Sequence, residues 1–382
     1  MPPMSQQTSI QHREHLVTNI EAALGHRLTP IVRDAFLAIP REAFVDQYYR
    51  QCGNELVWET ILNPTLEEVY QDHPLVTRLD TRKMPSSSSS QPSIMAAQLE
   101  ALALAPGQRV LEIGSGTGYN AALMAHMVEQ RGVVVSVDIA EDLVQRATDR
   151  LTQTGISNVQ ALTADGYQGY AEHAPYDRLL ATCGVTAIPP SWLQQLREGG
   201  ILIANVLLPL ASIFVRIEKI GEVGIGSLLP LHASYMRLTG PNSVDPFPKF
   251  SWKQLSTLPK QVLKLDGDLE ALLERSSRFA ILLQSFCPTL TKRYYRQPDQ
   301  QEGNVSLYLL SQPQQETIIH IHKDQLTIYG QSEPLVGNIQ ACLQAYHHLG
   351  EPQVEDYTLL LGETSMMISQ NGQEFPLSQN MG

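Results

Sequence analysis

Runs of apolar residues alternate with helical patterns through the middle of the chain. Five runs are apolar over nearly their whole length: RVLEIG, VVVSVDI, VQALTAD, YDRLLATCG and GILIANV. Between them, apolar positions recur every three or four residues, which predicts helices over about 120–128, over 141–153 and in SWLQQLRE. Strands that are apolar on both faces and alternate with helices are typical of a parallel sheet covered on both sides. The pattern therefore predicts a doubly wound, mostly parallel α/β domain.

The patterns before this domain are helical. Leu16, Ile20 and Leu24 have helical spacing, and Thr29-Pro30 has the composition of a second helix start. Pro92 suits the first turn of a further helix, predicted to run to about residue 103. The segment 53–82 gives no clear pattern.

The patterns after the domain are those of short strands. IFVRIEKIG and SLLPLHASYMRL are predicted as a closing strand pair. Beyond the Pro- and Gly-rich stretch 239–249, SLYLLS, TIIHIH, QLTIYG and YTLLLG are predicted as strands around one helix, LVGNIQACLQAYHHLG. We thus predict a helical N-terminal cap at 1–80, the α/β domain at 81–240 and a small α+β domain at 250–382.

The charge and hydropathy of the chain exclude some partners. Asp and Glu outnumber Lys and Arg by 39 to 27, which gives a net charge of −12. This acidic balance disfavours nucleic acids and anionic membranes as partners. The first fifteen residues lack the apolar core of a signal peptide. The longest apolar stretch, 201–215, falls short of the roughly 20 residues that a membrane helix needs.

The cysteines and histidines indicate neither a disulfide framework nor a metal site. The four cysteines are scattered, without a C-x-x-C spacing, which fits a reducing compartment, and we predict a cytoplasmic protein. His320 and His322 would face the same side of a predicted strand. No third ligand has a usable spacing, so a half-exposed strand face is favoured and no metal site is predicted.

A glycine-rich turn, GSGTG, follows the first strand of the α/β domain and precedes a helix. Gly114, Gly116 and Gly118 allow a tight turn and a close approach to a ligand, whose negative groups would face the helix N-terminus. A lone turn of this kind is often only a connection between strand and helix. Here, however, Asp138 ends the next strand and Asp165 ends the third, so three successive strands end in groups suited to a nucleoside.

The spacing of the glycines indicates which nucleoside. A dinucleotide fingerprint is G-x-G-x-x-G, and its third glycine would stand where the chain has Tyr119. The observed G-x-G-x-G, with an acidic residue ending the second strand, is instead typical of S-adenosylmethionine-dependent methyltransferases. Asp138 is expected to accept both ribose hydroxyls, and Asp165 the adenine amino group.

Five consecutive serines, at 86–90, precede Gln91 and Pro92. From these residues alone, a flexible linker, a helix N-cap and a loop that contributes to chemistry all remain open.

Three stretches resemble the protein-L-isoaspartate O-methyltransferase family, over about residues 13–240. PREAFVDQYYR is similar to the family's entry segment, VLEIGSGTGYNAALMA to its cofactor loop, and the run 164–206 to its stretch from the adenine-binding acid to the fifth strand. The family has Thr-Ile-Ser-Gln-Pro where this chain has residues 88–92, so the resemblance implies that Ser90 is the active-site serine. It also implies a cofactor site formed by Ser88, Ser89, Gln91, Glu112, Gly114, Ser115, Gly116, Gly118, Tyr119, Asp138, Ile139, Asp165 and Gly166.

The resemblance implies S-adenosylmethionine as cofactor and a carboxylate as methyl acceptor. An aspartyl-type carboxyl is ionised at pH 7, so no general base is expected. The acceptor would be an isoaspartyl or aspartyl residue of a protein or peptide, with Arg82 and Lys83 as candidate substrate cations or, alternatively, solvated surface charges.

Two alternatives remain open at this point. The segment RLDTRKMP and the long loop 52–73 depart from the family where it holds its substrate. The added C-terminal domain is similar to that of a subgroup that methylates an aspartate in a ribosomally made peptide, leading to a succinimide, and it would then bind the precursor peptide. The second alternative is a non-catalytic binding protein that keeps the cofactor fold.

Overall fold

The computed structural model describes residues 4–53, 57–241, 258–265, 267–275, 277–295, 306–311, 317–330, 333–363 and 365–378. The chain divides into two compact units. The first comprises 1–205, 216–222 and 233–243, and the second comprises 206–215, 223–232 and 244–382. The domain boundaries at 80 and 240–250 stay a prediction.

The helices of the first unit begin where the sequence supplies helix-starting residues. Proline occupies the first turn of the helices that begin at residues 30, 92 and 190, where its missing N–H costs no hydrogen bond. The helices are α1 Met4–Leu24, α2 Pro30–Ala38, α3 Leu66–Val69, α4 Pro92–Leu102, α5 Tyr119–Val128, α6 Glu141–Gln153 and α7 Pro190–Gln195.

The central sheet of the first unit follows the predicted alternation of strands and helices. Its strands are β5 Arg109–Ile113, β6 Val133–Asp138, β7 Val159–Thr163, β8 Tyr176–Val185 and β9 Leu196–Leu207, in the order β9-β8-β5-β6-β7. The pairs β5–β6, β5–β8 and β6–β7 are parallel. The chain moves outward from β5 in both directions, so the strand order reverses between β5 and β8. The predicted α/β fold is confirmed.

A smaller antiparallel sheet contains the serine run. Its strands are β1 Gln47–Gln51, β2 Trp58–Leu62, β3 Leu75–Leu79 and β4 Pro85–Ser89, in the order β2-β1-β3-β4. Four of the five serines thus belong to a strand that pairs with β3. The serines are therefore a structural element of the first unit, which rules out the linker among the readings that the sequence left open.

The predicted strand pair after β9 lies differently. The strands are β10 Ser212–Ile220 and β11 Val223–Leu229, so the second begins four residues earlier than SLLPL suggests. Residues 230–241 run outside regular strands, apart from a bridge between Arg237 and Gly184.

The second unit contains all the strands predicted for it, and more. The strands are β12 Lys260–Lys264, β13 Leu290–Tyr295, β14 Ser306–Ser311, β15 Thr317–His322, β16 Gln325–Gly330, β17 Thr358–Leu361, β18 Met366–Gln370 and β19 Gln373–Ser378. The helices are α8 Leu269–Arg275, α9 Ser277–Phe286 and α10 Glu333–His348. A five-stranded antiparallel sheet has the order β12-β16-β15-β14-β13, and β11, β17, β18 and β19 pair in that order.

Within the described ranges, no helix is both long enough and apolar enough to cross a membrane. The same residues contain no group of three His, Cys, Asp or Glu side chains placed to hold a metal ion.

Candidate active site

A cavity of about 320 Å³ lies in the first unit, at the carboxyl ends of β5, β6 and β8. Ligands of open α/β sheets bind at this edge, beside the point where the strand order reverses. The cavity brings together most of the predicted site residues: Ser88, Ser89, Ser90, Gln91, Gly114, Ser115, Gly116, Tyr119, Asp138, Ile139 and Gly166. The other five, Arg82, Lys83, Glu112, Gly118 and Asp165, lie outside its lining.

The glycine loop requires glycine at two positions for different reasons. Gly114 has φ +100°, and a Cβ there would lie 2.7 Å from Thr182 Oγ1. Gly118 has φ +85°, precedes α5, and would bring a Cβ within 3.1 Å of Ala147 Cβ. A side chain at either position is therefore strained, and the bare backbone places the start of α5 beside the cavity. This arrangement fits a nucleoside cofactor whose polar groups meet backbone N–H groups.

Asp138 is half-buried at the end of β6 and lines the cavity. Its Oδ2 accepts a hydrogen bond from the Gly116 N–H at 3.1 Å, and its Oδ1 accepts one from the Ala140 N–H at 3.1 Å. Burial raises the pKa of Asp138, and these two hydrogen bonds oppose the rise. A carboxylate held in this way has lone pairs left to accept ribose hydroxyls, which fits the role predicted for it.

Glu112 lies beneath the glycine loop and is fully buried. Its Oε1 accepts from Asn120 Nδ2 at 2.8 Å, and its Oε2 accepts from Ser136 Oγ at 2.5 Å. Ser136 Oγ also lies 2.7 Å from Ser115 Oγ. Burial raises the pKa of Glu112 to about 7. Glu112 thus supports the glycine loop from its buried side, through Asn120 and Ser136.

Tyr119 lines the cavity, but most of its ring is packed inward. Its ring centroid lies 5.7 Å from that of Phe44 and 6.4 Å from that of Phe36. The side chain is 1% exposed, so it fixes the first turn of α5 against the helical N-terminal part of the first unit.

Asp165 and Gly166 form the third predicted element. Asp165 Oδ1 accepts from the Tyr167 N–H at 3.0 Å, while Gly166 lines the cavity. A Cβ at Gly166 would lie 2.7 Å from Ile113 Cγ2, and the Gly166 carbonyl accepts from Trp192 Nε1 at 2.8 Å. The backbone at Gly166 is therefore held between Ile113 and Trp192, and the Asp165 carboxylate precedes it directly in the chain.

The serine strand is held by a buried arginine. Arg41 is 0% exposed, and its Nε and Nη2 each donate to Ser89 Oγ at 3.3 Å. Its Nη2 also donates to the carbonyl of Ser90 at 3.1 Å. Burial lowers the pKa of Arg41 to about 10, so the guanidinium remains charged at neutral pH. Arg41 therefore fixes the backbone on which Ser90 stands.

The same guanidinium fixes the segment before β3. Arg41 Nη1 donates to the carbonyls of Val69 at 2.8 Å and Gln71 at 3.0 Å, and Nη2 donates to that of His73 at 3.1 Å. These three acceptors belong to the segment that gave no clear sequence pattern. The sequence offered only one sign of this role, the position of Arg41 in the entry segment PREAF.

Asp72 connects that segment to α4. Its Oδ1 accepts from the Ser93 N–H at 2.8 Å, and its Oδ2 accepts from Gln91 Nε2 at 3.2 Å. Gln91 Nε2 also donates to Ser93 Oγ at 3.0 Å. The Asp72 carboxylate thus caps the N-terminus of α4 from the segment before β3. The helix end that it caps begins at Gln91, directly after Ser90.

The predicted substrate cations are not at the cavity. Arg82 is 83% exposed and pairs with Asp80 at 3.3 Å, in the turn between β3 and β4. Lys83 has φ +62° in the same turn, and its carbonyl accepts from Trp58 Nε1 at 2.9 Å. Among the described residues that line the cavity, the charged side chains are those of Asp138 and Arg237. Arg237 was not singled out by the sequence.

The segment 233–239 forms the remaining wall. It is fixed to β8 by hydrogen bonds from the Gly184 N–H to the Met236 carbonyl at 2.8 Å and from the Leu238 N–H to the Gly184 carbonyl at 2.7 Å. The sequence pattern predicted a strand here and gave no sign of a site, because the segment has no glycine turn or acidic strand end.

Comparisons with known proteins agree on one family. A family model described as protein-L-isoaspartate(D-aspartate) O-methyltransferase matches residues 11–241. The protein-L-isoaspartate O-methyltransferase of Thermotoga maritima is 41% identical over 180 residues, which is 47% of this chain and 51% of that protein. Protein-L-isoaspartate O-methyltransferase 2 of a Polaromonas species is 32% identical over 220 residues, 56% of this chain and 97% of that protein.

A solved structure gives a longer match. It bears the name protein-L-isoaspartate O-methyltransferase and superposes with a TM-score of 0.57 at 27% sequence identity. The superposition covers 94% of this chain and 99% of that one, so it extends beyond residue 241. The match with the Thermotoga protein, by contrast, spans about half of that protein's length.

Proposed function

Because the chain belongs to the protein-L-isoaspartate(D-aspartate) O-methyltransferase family, we propose that it methylates the carboxylate of an isoaspartyl or aspartyl residue in a protein or peptide. The methyl donor is S-adenosylmethionine. The observation that carries the proposal is the shared cavity, which combines the glycine loop and Asp138 with the serine strand.

The residues of the glycine side fit the cofactor. The loop 114–118 presents bare backbone beside the cavity, and Asp138 is fixed by two backbone N–H groups with acceptor capacity remaining. Gly166 keeps the third strand end free of a side chain. S-adenosylmethionine supplies, when bound, a methyl group on a sulfonium, which is already an activated electrophile.

The residues of the serine side then orient the acceptor. An ionised carboxylate needs no proton removed, so alignment is the main contribution of the protein, and such positioning supplies roughly 7–11 kcal/mol. Ser90 lines the cavity, and Arg41 holds its carbonyl, which supports the role that we propose for the Ser90 hydroxyl as a donor to the acceptor carboxylate. Arg237 is the cation of the described cavity wall and offsets the charge of that carboxylate.

The second unit does not favour the peptide-tailoring alternative. A protein named protein-L-isoaspartate O-methyltransferase matches 94% of this chain, which includes much of the region after residue 250. The C-terminal domain is thus compatible with isoaspartyl substrates, and precursor-peptide binding remains the alternative that the test addresses.

We place the protein in the cytoplasm, because its four cysteines form no disulfide, as is usual in a reducing compartment.

The test uses S-adenosylmethionine labelled in its methyl group and two short peptides that differ only in having isoaspartate or aspartate. Base-labile methyl ester on the isoaspartyl peptide is the expected result, and the Ser90→Ala protein is the control that should lose it. Ester on the aspartyl peptide alone would favour tailoring. The absence of S-adenosylhomocysteine binding in calorimetry would overturn the proposal.

A further inference from the structure

The walls of the cavity carry buried polar atoms that lack a partner. Four lining residues each have one such side-chain atom without a hydrogen bond to the described part of the chain: Ser86 Oγ, Gln98 Nε2, Tyr119 Oη and Asn120 Oδ1. Buried polar atoms are nearly always hydrogen-bonded in folded proteins. Their presence together at one cavity indicates that a bound ligand supplies partners.

Gln98 Nε2 differs from the other three atoms because it can only donate. The amide oxygen of Asn120 can only accept, and the hydroxyls of Ser86 and Tyr119 can do either. An ionised carboxylate has only acceptors to offer. The Gln98 amide, with its two N–H bonds, is therefore the best match among the four for a carboxylate.

Gln98 lies on the same helix face as other lining residues and follows Ser90 in the chain. With Gln91, Ile94 and Met95 it lines the cavity from one face of α4. Side chains of a helix tilt toward its N-terminus, which here comes directly after Ser90. The tilt directs the Gln98 amide toward the end of α4 at which Ser90 lies.

The orientation of the amide follows from a neighbour on the segment 233–239. The hydroxyl of Tyr235 donates to Gln98 Oε1, and the same segment carries Arg237. With Oε1 occupied, Nε2 is the part of the amide that remains for a ligand. Gln98 is 1% exposed, so a hydrogen bond formed by Nε2 is shielded from water and is stronger for that reason.

Packing alone does not account for an amide at this position. Its neighbours on the helix face, Ile94 and Met95, are apolar. A buried donor without a partner lowers the free energy of unfolding, and an apolar side chain of similar length would avoid that loss. A ligand that accepts a hydrogen bond gives the Gln98 amide a role.

We propose that Gln98 is a substrate-binding residue, whose Nε2 donates a hydrogen bond to the acceptor carboxylate together with the hydroxyl of Ser90. The inference rests on the proposed function, in which that carboxylate accepts the methyl group. Each carboxylate oxygen has two lone pairs. The oxygen that attacks the methyl group therefore accepts one hydrogen bond and keeps a lone pair for the new bond.

The first test is Gln98→Met in the full chain, which removes the amide and keeps an unbranched side chain. We expect kcat/KM for the isoaspartyl peptide to fall about 10- to 100-fold, the range for a hydrogen bond to a charged group. The Kd for S-adenosylhomocysteine should stay within about two-fold of the wild-type value. A comparable rise in that Kd would assign the amide to the cofactor and overturn the inference.

A binding measurement separates recognition of the carboxylate from a general loosening of the cavity. With S-adenosylhomocysteine bound, the Kd of the isoaspartyl peptide is compared with that of the same peptide carrying a carboxamide in place of the isoaspartyl carboxylate. Charge-assisted hydrogen bonds are about twice as strong as neutral ones, so Gln98→Met should reduce the preference for the carboxylate about three- to ten-fold. An unchanged preference would overturn the inference.

Gln98→Glu is the second variant and covers the case in which Gln98→Met does not fold. It keeps an oxygen for the Tyr235 hydroxyl and replaces the donor by an acceptor. We expect it to lower kcat/KM at least as much as Gln98→Met does. A loss smaller than about two-fold would overturn the inference.

Failure of the proposed function gives a different result. The wild-type protein would then label no peptide and would show no preference for the carboxylate over the carboxamide, which would overturn this inference as well. If the wild-type protein labels the isoaspartyl peptide and both variants match it, only the role of Gln98 is overturned.

Discussion

The two sides of the cavity are built in different ways. On the glycine side, the ends of three strands of one sheet place the groups, and backbone conformation fixes each of them. On the serine side, side chains that are distant in sequence hold one short strand: Arg41 at its backbone and Asp72 at the helix that follows. The first kind of site depends on short motifs, and the second on long-range side-chain contacts.

The largest effect should come from removing the support of the serine side. Arg41→Met leaves the carbonyls of Val69, Gln71 and His73 without their donor. The Val69 carbonyl is buried and the other two are part-buried; a buried acceptor without a partner costs about 1–3 kcal/mol, so, with the loss of the other bonds of the fully buried guanidinium, we expect the free energy of unfolding to fall by about 3–5 kcal/mol. Urea titration measures it, with the exposed Arg82→Met as control. An equal, small effect of both substitutions would contradict the support assigned to Arg41.

The glycine side should respond to pH through Glu112. Burial raises its pKa to about 7 from an ordinary value of 4.5. Between these values the folded protein holds a proton that the unfolded chain has released, so stability is lost as pH rises through about 7. We expect a loss on the order of 3 kcal/mol. Glu112→Gln should remove this part of the pH dependence in urea titrations at pH 5 and pH 8, and parallel curves for the two proteins would contradict the assignment.

Cofactor affinity should separate the two sides. Asp138→Ala removes the carboxylate expected to accept the ribose hydroxyls, and hydrogen bonds to charged groups contribute about 1.5–3 kcal/mol each. We expect the Kd for S-adenosylhomocysteine, measured by calorimetry, to rise about 100-fold. Asp142→Asn is the matched control, because Asp142 is an exposed carboxylate on α6 that pairs with Arg78 and Arg146. A comparable loss in both variants would contradict a specific role for Asp138.

The smallest effect concerns the cation of the serine side. Arg237→Gln should lower kcat/KM for the isoaspartyl peptide about 10-fold, the equivalent of about 1.4 kcal/mol, and leave the Kd for S-adenosylhomocysteine unchanged. Arg82→Gln tests a candidate cation named from the sequence and should leave both quantities unchanged. A larger loss in Arg82→Gln would restore the turn between β3 and β4 as the substrate-binding element.

The sequence predicted the glycine side well because each of its parts is local. Gly114, Gly116 and Asp138 are close to strand ends that the apolar pattern predicts, and their roles depend on backbone geometry near those ends. The fold class and the cofactor follow from the same pattern, and family membership confirms both.

The serine side was predicted in part, and only through the family resemblance. Composition alone left a linker, a helix cap and a loop that contributes to chemistry open at 86–90, whereas pairing with β3 makes 86–89 part of a strand. Arg82 and Lys83 were chosen because they are close to the serines in sequence, but the hairpin turn carries them away from the cavity. Arg237 is about 147 residues downstream of Ser90, and no local pattern connects it to the serine run.

The way Arg41 holds the segment before β3 determines which substitutions that segment can accept. The acceptors at Val69, Gln71 and His73 are main-chain carbonyls, which every amino acid supplies. Exchanges at Gln71 and His73, whose side chains are not part of these bonds, keep all of the acceptors in place. Substitutions at these two positions should therefore leave the support that Arg41 gives to the serine strand in place.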